Sequence, residues 1–363
     1  MGIDSAVLLT DENVQQVVSR VGLNRIMDEL IERLYDAFVT FDATRSLIPT
    51  RSGFSYESPM TGLLEWMPIL SVGDQMLMKL VGYHPDNPNQ FSLPTILSSF
   101  SLYCAKTGKL NAIVDGTLLT AMRTGAASAI ASRALAPEST SEIGIVGCGA
   151  QAVTQLHAMS RVFEISQVSF FDIDPATVAT FPSRCEFLGD SVVWNESTLE
   201  HCVSQADVLC VATSVDVHAG PVFDNLDTRN HLHINAVGSD FPGKTELPIE
   251  LLQRSYVSPD TLEQAMVEGE SQQLDRSQVG LPLSQLLKSD LLSSLVRQTT
   301  VFDSTGWALE DLMATELILG YAREMGIGTP INVVSNSMDP KSPYECIENS
   351  SEGNKTDTRP KVA

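Results

Sequence analysis

Residues 142–152, EIGIVGCGAQA, decide the fold. A short apolar run ends in Gly147-Cys148-Gly149-Ala150-Gln151-Ala152 and continues into VTQLHAMSRVF, a helical pattern. Strand, tight turn and helix form the context in which a GxGxxA sequence binds a dinucleotide. Gly147 makes the turn, and Gly149 lets a pyrophosphate approach the helix N-terminus. Ala150 and Gln151 open that helix beside the phosphates, and Ala152 is small enough for close packing. Asp172, 25 residues beyond Gly147, closes the next apolar run. Its carboxylate can accept hydrogen bonds from a ribose diol and would repel a 2'-phosphate. Asp174 adds to that bias and no arginine follows immediately, so NAD rather than NADP is expected. The competing reading is a glycine turn in an unrelated α/β fold whose Asp172 merely ends a strand.

Working outward, apolar runs recur at VSFFDID from Val168, ADVLCVATS (206–214), HLHINAVG (231–238) and TTVFDS (299–304). Helical intervals separate several of them, the pattern of a mostly parallel sheet covered on both faces. Residues 138–315 therefore read as a Rossmann-type doubly wound α/β domain. Upstream, 11–38 carries apolar residues at helical spacing. LLEWMPIL, QMLMKLVGY and TILSSFSLYCA resemble strands joined by turns. The alanine-rich stretch from Thr117 to Ala136 reads as a long helix stopped at Pro137. An α+β domain over 1–137 follows. The segment 261–280 is polar and acidic enough to be expected largely at the surface. A helix after 306 leads to a helical return to the first domain over 316–348, and the tail 349–363 reads as disordered.

Composition removes several function classes. The chain has 363 residues, with 23 Lys and Arg against 45 Asp and Glu, a formal net charge of -22. That balance repels nucleic acid and anionic membrane surfaces, while a cationic small substrate stays compatible. The six cysteines form no CxxC pair, and the N-terminus lacks the basic flank and apolar run of a signal peptide. No apolar run reaches the roughly 18 residues of a membrane span. A cytoplasmic protein is the expectation. The six histidines form no ligand-spaced motif, so no metal is expected, and His84 reads as a loop or subunit-contact residue.

Beyond the fingerprint, the ordered segments EWMP (65–68), Lys79 with HPDN (84–87), LLTAMRTGAAS (118–128) and IVGCGAQA (145–152) carry a wider pattern. INAVGSDFPGKTEL (234–247), EGESQQL (268–274) and FDSTGWALED (302–311) continue it. Together they resemble the ornithine cyclodeaminase and mu-crystallin family over nearly the whole chain before the tail. The resemblance implies a homodimer whose discontinuous α+β domain carries dimer contacts and part of the substrate site, beside an NAD-binding Rossmann domain. It places Arg45, Lys79 and Arg123 near an amino-acid carboxylate, with Lys79 also near the reacting carbon. Asp240 is implied for binding the amine and moving protons, and Glu65 as a second acid. Thr124 would meet a cofactor phosphate. Thr213, Asn235, Val237, Gly238 and Ser239 would border the cofactor, and Thr305 would line the substrate pocket.

The implied reaction converts L-ornithine to L-proline and ammonia. NAD+ takes the Cα hydride, the δ-amine attacks the resulting imine, ammonia leaves, and the hydride returns. Three positions depart from the family's usual residues: Ser239 stands for a glycine, Phe241 for a cysteine, and Thr305 for an apolar residue. Lysine cyclodeamination, a net NAD(H)-dependent amino-acid dehydrogenase or imine reductase, and a mu-crystallin-like binding protein stay open as alternatives.

Overall fold

The computed structural model describes residues 5–333 together with 339, 341, 342 and 344. The tail expected at 349–363 lies outside the described residues, as does most of 334–348. In chain order the first strands are β1 (Ala6–Leu9), β2 (Ser46–Leu47), β3 (Ser52–Tyr56), β4 (Gly62–Ser71), β5 (Gln75–Tyr83), β6 (Ile96–Cys104) and β7 (Leu110–Asp115). The central strands are β8 (Glu142–Val146), β9 (Gln167–Phe171), β10 (Val193–Glu196), β11 (Val208–Val211), β12 (His233–Ala236), β13 (Tyr256–Pro259) and β14 (Thr300–Asp303). Strand β15 (Thr329–Ile331) closes the set.

The central sheet is seven-stranded, in the order β10-β9-β8-β11-β12-β14-β13, and every pairing is parallel. Chain order reverses between β8 and β11, the crevice where such sheets bind ligands. The sequence pattern shows five of these strands; β10 and β13 are additions. Both have four residues and lie at the sheet's edges. No residue of β10 is buried and β13 ends at Pro259, so neither gives a long apolar run.

The other sheet follows the path β15-β1-β7-β6-β5-β4-β2, with β3 on β4. The chain's return is therefore more than helical. The return helix, Ala308–Met325, spans the expected boundary at 315, and β15 then pairs antiparallel with β1. Two helices, Asp11–Val21 and Leu23–Thr40, occupy the expected N-terminal helical segment. Among the described residues no helix is long and apolar enough to cross a membrane.

The connecting helix, Thr117–Leu135, joins the sheets, and it is buried without interruption from Met122 to Ser132. Small side chains on every face let it serve as a core helix touched from all sides. It meets the helices Leu23–Thr40, Ala150–Val162 and Ala308–Met325, and strands β6, β12 and β14. One hydrophobic core consequently runs from Leu9 and Phe100 through Ala126 and Ile130 to Ile145 and Leu317, with no break at the domain seam.

Candidate active site

The nucleotide end of the site is built by the turn after β8. Gly147 has φ +86°, and a Cβ there would lie 2.6 Å from the Ala212 carbonyl oxygen, so the position requires glycine. Gly149 is the N-cap of the helix Ala150–Val162; no side chain caps that end, and a Cβ at Gly149 would meet nothing within 4 Å. Free amides and open space suit a pyrophosphate. Asp172, just past β9, accepts from the Cys148 amide at 2.7 Å and from the Asp174 amide at 2.9 Å. Arg184 braces the same turn by donating to the Cys148 carbonyl at 2.7 Å. These residues fit NAD.

The loops after β11 and β12 are locked together by Glu246. Its Oε1 accepts from both the amide and the hydroxyl of Thr213 at 2.7 Å, and its Oε2 accepts from the Gly238 amide at 2.8 Å. Asn235 is fully buried and donates to the Ser132 hydroxyl at 2.9 Å, so it ties β12 to the connecting helix. It is not among the cavity-lining residues.

A cavity opens between the two sheets. Strand alternation explains its wall: Leu63, Glu65 and Met67 of β4 and Lys79, Val81 and Tyr83 of β5 face the cavity. The opposite face of the same strands carries Leu64, Trp66 and Leu80. The connecting helix adds Thr120, Arg123 and Thr124; Val237 and Asp240 come from the loop after β12, Gln151 from the glycine-turn helix, and Thr305 from the loop after β14. Thr124 spends its hydroxyl on the Thr120 carbonyl at 2.9 Å.

Arg45 does not reach this cavity. It is exposed in a turn before β2, whereas Arg51, six residues on, lines the wall. Pairing of Gly53 with Glu65 across β3 and β4 brings Arg51 alongside Glu65. Arg51 Nε lies 2.9 Å from Glu268 Oε1, and Nη1 lies 3.5 Å from Glu65 Oε2. Its Nη2 donates to the carbonyls of Thr305 and Gly306.

Glu268 also corrects the expectation that 261–280 lies largely at the surface. Glu268, Glu270 and Ser271 are buried. Glu270 accepts from the amides of Glu246 and Leu247 at 2.7 and 3.1 Å. Asp303 accepts from the amides of Glu270 and Ser271, each at 2.8 Å. Internal partners, absent from any count of composition, make these acids tolerable inside.

The return helix supplies the remaining countercharge. Arg123 donates from Nη1 to Glu310 at 2.7 Å and from Nε to Asp311 at 2.9 Å, and Lys79 donates to Asp311 at 3.1 Å. Gly306, at φ +89°, leaves room for the Arg123 guanidinium, which a Cβ would meet at 2.6 Å. Burial lowers the pKa of Lys79 to about 8 against the opposing pull of Asp311. Burial raises Glu268 to about 8, with Arg51 opposing, and pushes Glu65 upward as well. For Asp311 burial acts upward too, but Arg123 and Lys79 outweigh it and hold the carboxyl below its usual range.

Two of the three unusual residues spend their hydroxyls on partners within the protein. Ser239 donates to the Lys244 carbonyl, and Thr305 donates to Asp260 at 3.1 Å. Phe241 is half-buried. His84 faces Tyr56, with its Nε2 at 2.7 Å from the phenol oxygen. Sequence reading misses Arg51, Glu268, Glu310, Asp311, Tyr83 and Lys244. The segments EGESQQL, WALED and DFPGKTEL contain four of them without revealing their partners.

Known proteins share this fold. The family model described as ornithine cyclodeaminase/mu-crystallin family matches residues 11–325. An L-lysine cyclodeaminase from Streptomyces rapamycinicus is 36% identical over 93% of this chain and 98% of its own length. A solved lysine cyclodeaminase, described for its recognition of L-lysine, L-ornithine and L-2,4-diaminobutyric acid, superposes with TM-score 0.90 at 42% identity, covering 94% of this chain and 99% of that one. A solved archaeal alanine dehydrogenase, a dimer with bound NAD, gives TM-score 0.77 at 29% identity, covering 91% and 100%.

Proposed function

From a chain that belongs to the ornithine cyclodeaminase/mu-crystallin family, we propose NAD-dependent cyclodeamination of an L-α,ω-diamino acid, with L-lysine and L-ornithine as the substrates to test first. The observation that carries this reading is one cavity lined by both cations and carboxylates, beside the glycine turn. Lys79 and Arg123 can hold the α-carboxylate, while Asp240 and Glu65 can hold and deprotonate amines. Similarity to a lysine cyclodeaminase moves lysine ahead of ornithine as the first choice.

Gly147, Gly149 and Asp172 would hold NAD+, which would supply an acceptor, and later a donor, for the substrate's Cα hydride. Arg123 and Lys79 fix the carboxylate so that Cα has one position. Asp240 takes a proton from the α-ammonium and gives one to the departing ammonia. The walls from β4 and β5 exclude water, which protects an imine from hydrolysis and holds the distal amine near Cα. Ring closure yields a five-membered cyclic amino acid from ornithine or a six-membered one from lysine.

Homodimerisation is part of the proposal. Phe54, Leu64, Leu80 and Leu97 are 65, 37, 46 and 37% exposed on the face of the first sheet opposite the cavity. A contiguous apolar face of this kind favours burial against a second copy. Light scattering should report a dimer, and Leu80→Glu should weaken it.

The deciding assay incubates the protein and catalytic NAD+ with lysine, ornithine, arginine and small neutral amino acids while following ammonia, cyclic product and A340. Cyclic product without stoichiometric NADH supports the proposal. Ammonia with matching NADH would make the protein a dehydrogenase, and NAD binding without turnover would make it a binding protein.

A further inference from the structure

Lys244 follows Asp240 by four residues in the loop after β12, and it is only 4% exposed. Its Nζ donates to Asp240 Oδ1 at 3.0 Å and lies 4.9 Å from the centre of the Tyr83 ring. Its backbone is fixed as well: the Lys244 carbonyl accepts from the Ser239 hydroxyl and, at 2.9 Å, from Gln272 Nε2. A buried lysine tied at both ends is a costly way to fill space.

Asp240 stands in acidic company. Glu65 on β4 and Glu268 after β13 both feel its charge, as do Arg51 ahead of β3 and Tyr83 on β5. Asp216 bears on Tyr83, and Glu246 on Lys244. The cations are divided unequally among the three carboxylates. Arg51 is shared by Glu65 and Glu268, whereas the Lys244 ion pair is with Asp240. An ammonium held against one carboxylate oxygen fixes that side chain and leaves the other oxygen to a different partner. Burial pushes Glu268 up to about 8, with Arg51 opposing. Burial works against the Lys244 ammonium, but Asp240 and Tyr83 outweigh it and hold its pKa above the usual lysine range.

We propose that Lys244 is the positioning residue for Asp240: by occupying Oδ1 it fixes the carboxylate and leaves Oδ2 for the substrate amine. The inference rests on the reading of Asp240 as the base.

The test measures kcat and KM for Lys244→Met, Lys244→Arg and Asp240→Asn, with NAD+ binding by fluorescence as the check on folding. Lys244→Met should lower kcat by about tenfold or more, the scale of a lost charge-assisted hydrogen bond, with KM changed less. Lys244→Arg should recover most of that loss. Wild-type kcat in Lys244→Met, with Asp240→Asn inactive, overturns the role of Lys244 alone. A loss not recovered by Lys244→Arg also overturns it, because the ion pair with Asp240 is then not what matters. Wild-type turnover by Asp240→Asn would instead overturn the reading of Asp240.

Discussion

Lys79 and Arg123 donate to the same oxygen: Asp311 Oδ1 lies 3.1 Å from Lys79 Nζ and 2.9 Å from Arg123 Nε. One carboxylate thus sets the spacing of the two cations assigned to the substrate. Asp311→Ala would leave both charges buried without it, and removing one partner of a buried ion pair costs about 3–5 kcal/mol. A clear drop in melting temperature is expected. Asp311→Asn should keep the fold but raise KM for the amino acid by about tenfold or more, with NAD+ affinity little changed. Unchanged KM would detach Asp311 from substrate binding.

Glu268 gives a pH signature. Its folded pKa of about 8 lies above the unfolded value of about 4.3. Its stabilising contribution is therefore complete below the unfolded value and is lost as pH rises through about 8. Glu268→Gln imitates the protonated group at every pH. The difference in melting temperature between variant and wild type should be smallest near pH 5, widen in the variant's favour towards pH 8, and level off above it. A difference independent of pH would show that Glu268 does not titrate in this interval.

The two arginines separate cleanly. Arg51→Met removes a fork joined to Glu65, Glu268 and the carbonyls of Thr305 and Gly306. It should reduce kcat/KM by about tenfold to a hundredfold, the scale of a lost charge-assisted contact. Exposed Arg45→Met should stay near wild type. The reverse ranking in steady-state kinetics would return the role to Arg45.

Asp172 bears on the cofactor. Asp172→Ala removes both the carboxylate expected at the ribose and the acceptor for the Cys148 amide. The NAD+ Kd should rise by about tenfold or more, while KM for the amino acid at saturating NAD+ holds steady. Equal NAD+ affinity in a fluorescence titration would exclude the ribose role.

The nucleotide half of the site is legible in the sequence because its signal is local: GCGAQA and Asp172 sit on one strand–turn–helix–strand unit. The substrate half is harder to read. Arg45 and Arg51 share a segment with no periodic pattern, and only the β3–β4 register shows which one meets Glu65. Glu268 reads as surface because composition counts a charge without its partner. Glu310 and Asp311 fall on a helix that the sequence does reveal, yet their partners lie 187 and 232 residues away in the pairs with Arg123 and Lys79. The edge strands β10 and β13 are too short to show a pattern.

The return helix also imposes an order in time. Lys79 emerges during synthesis 232 residues before Asp311. At about 5–20 residues per second, that interval lasts roughly 10–50 seconds. Until Ala308–Met325 arrives, the first sheet and the connecting helix carry two cations destined for burial without their carboxylates, and β1 waits for its pairing with β15. The nascent sheet therefore has reason to stay open and hydrated while the nucleotide domain is being made. Its closure coincides with the arrival of the last helix and strand described, so a truncated chain leaves an unfinished sheet rather than a smaller enzyme.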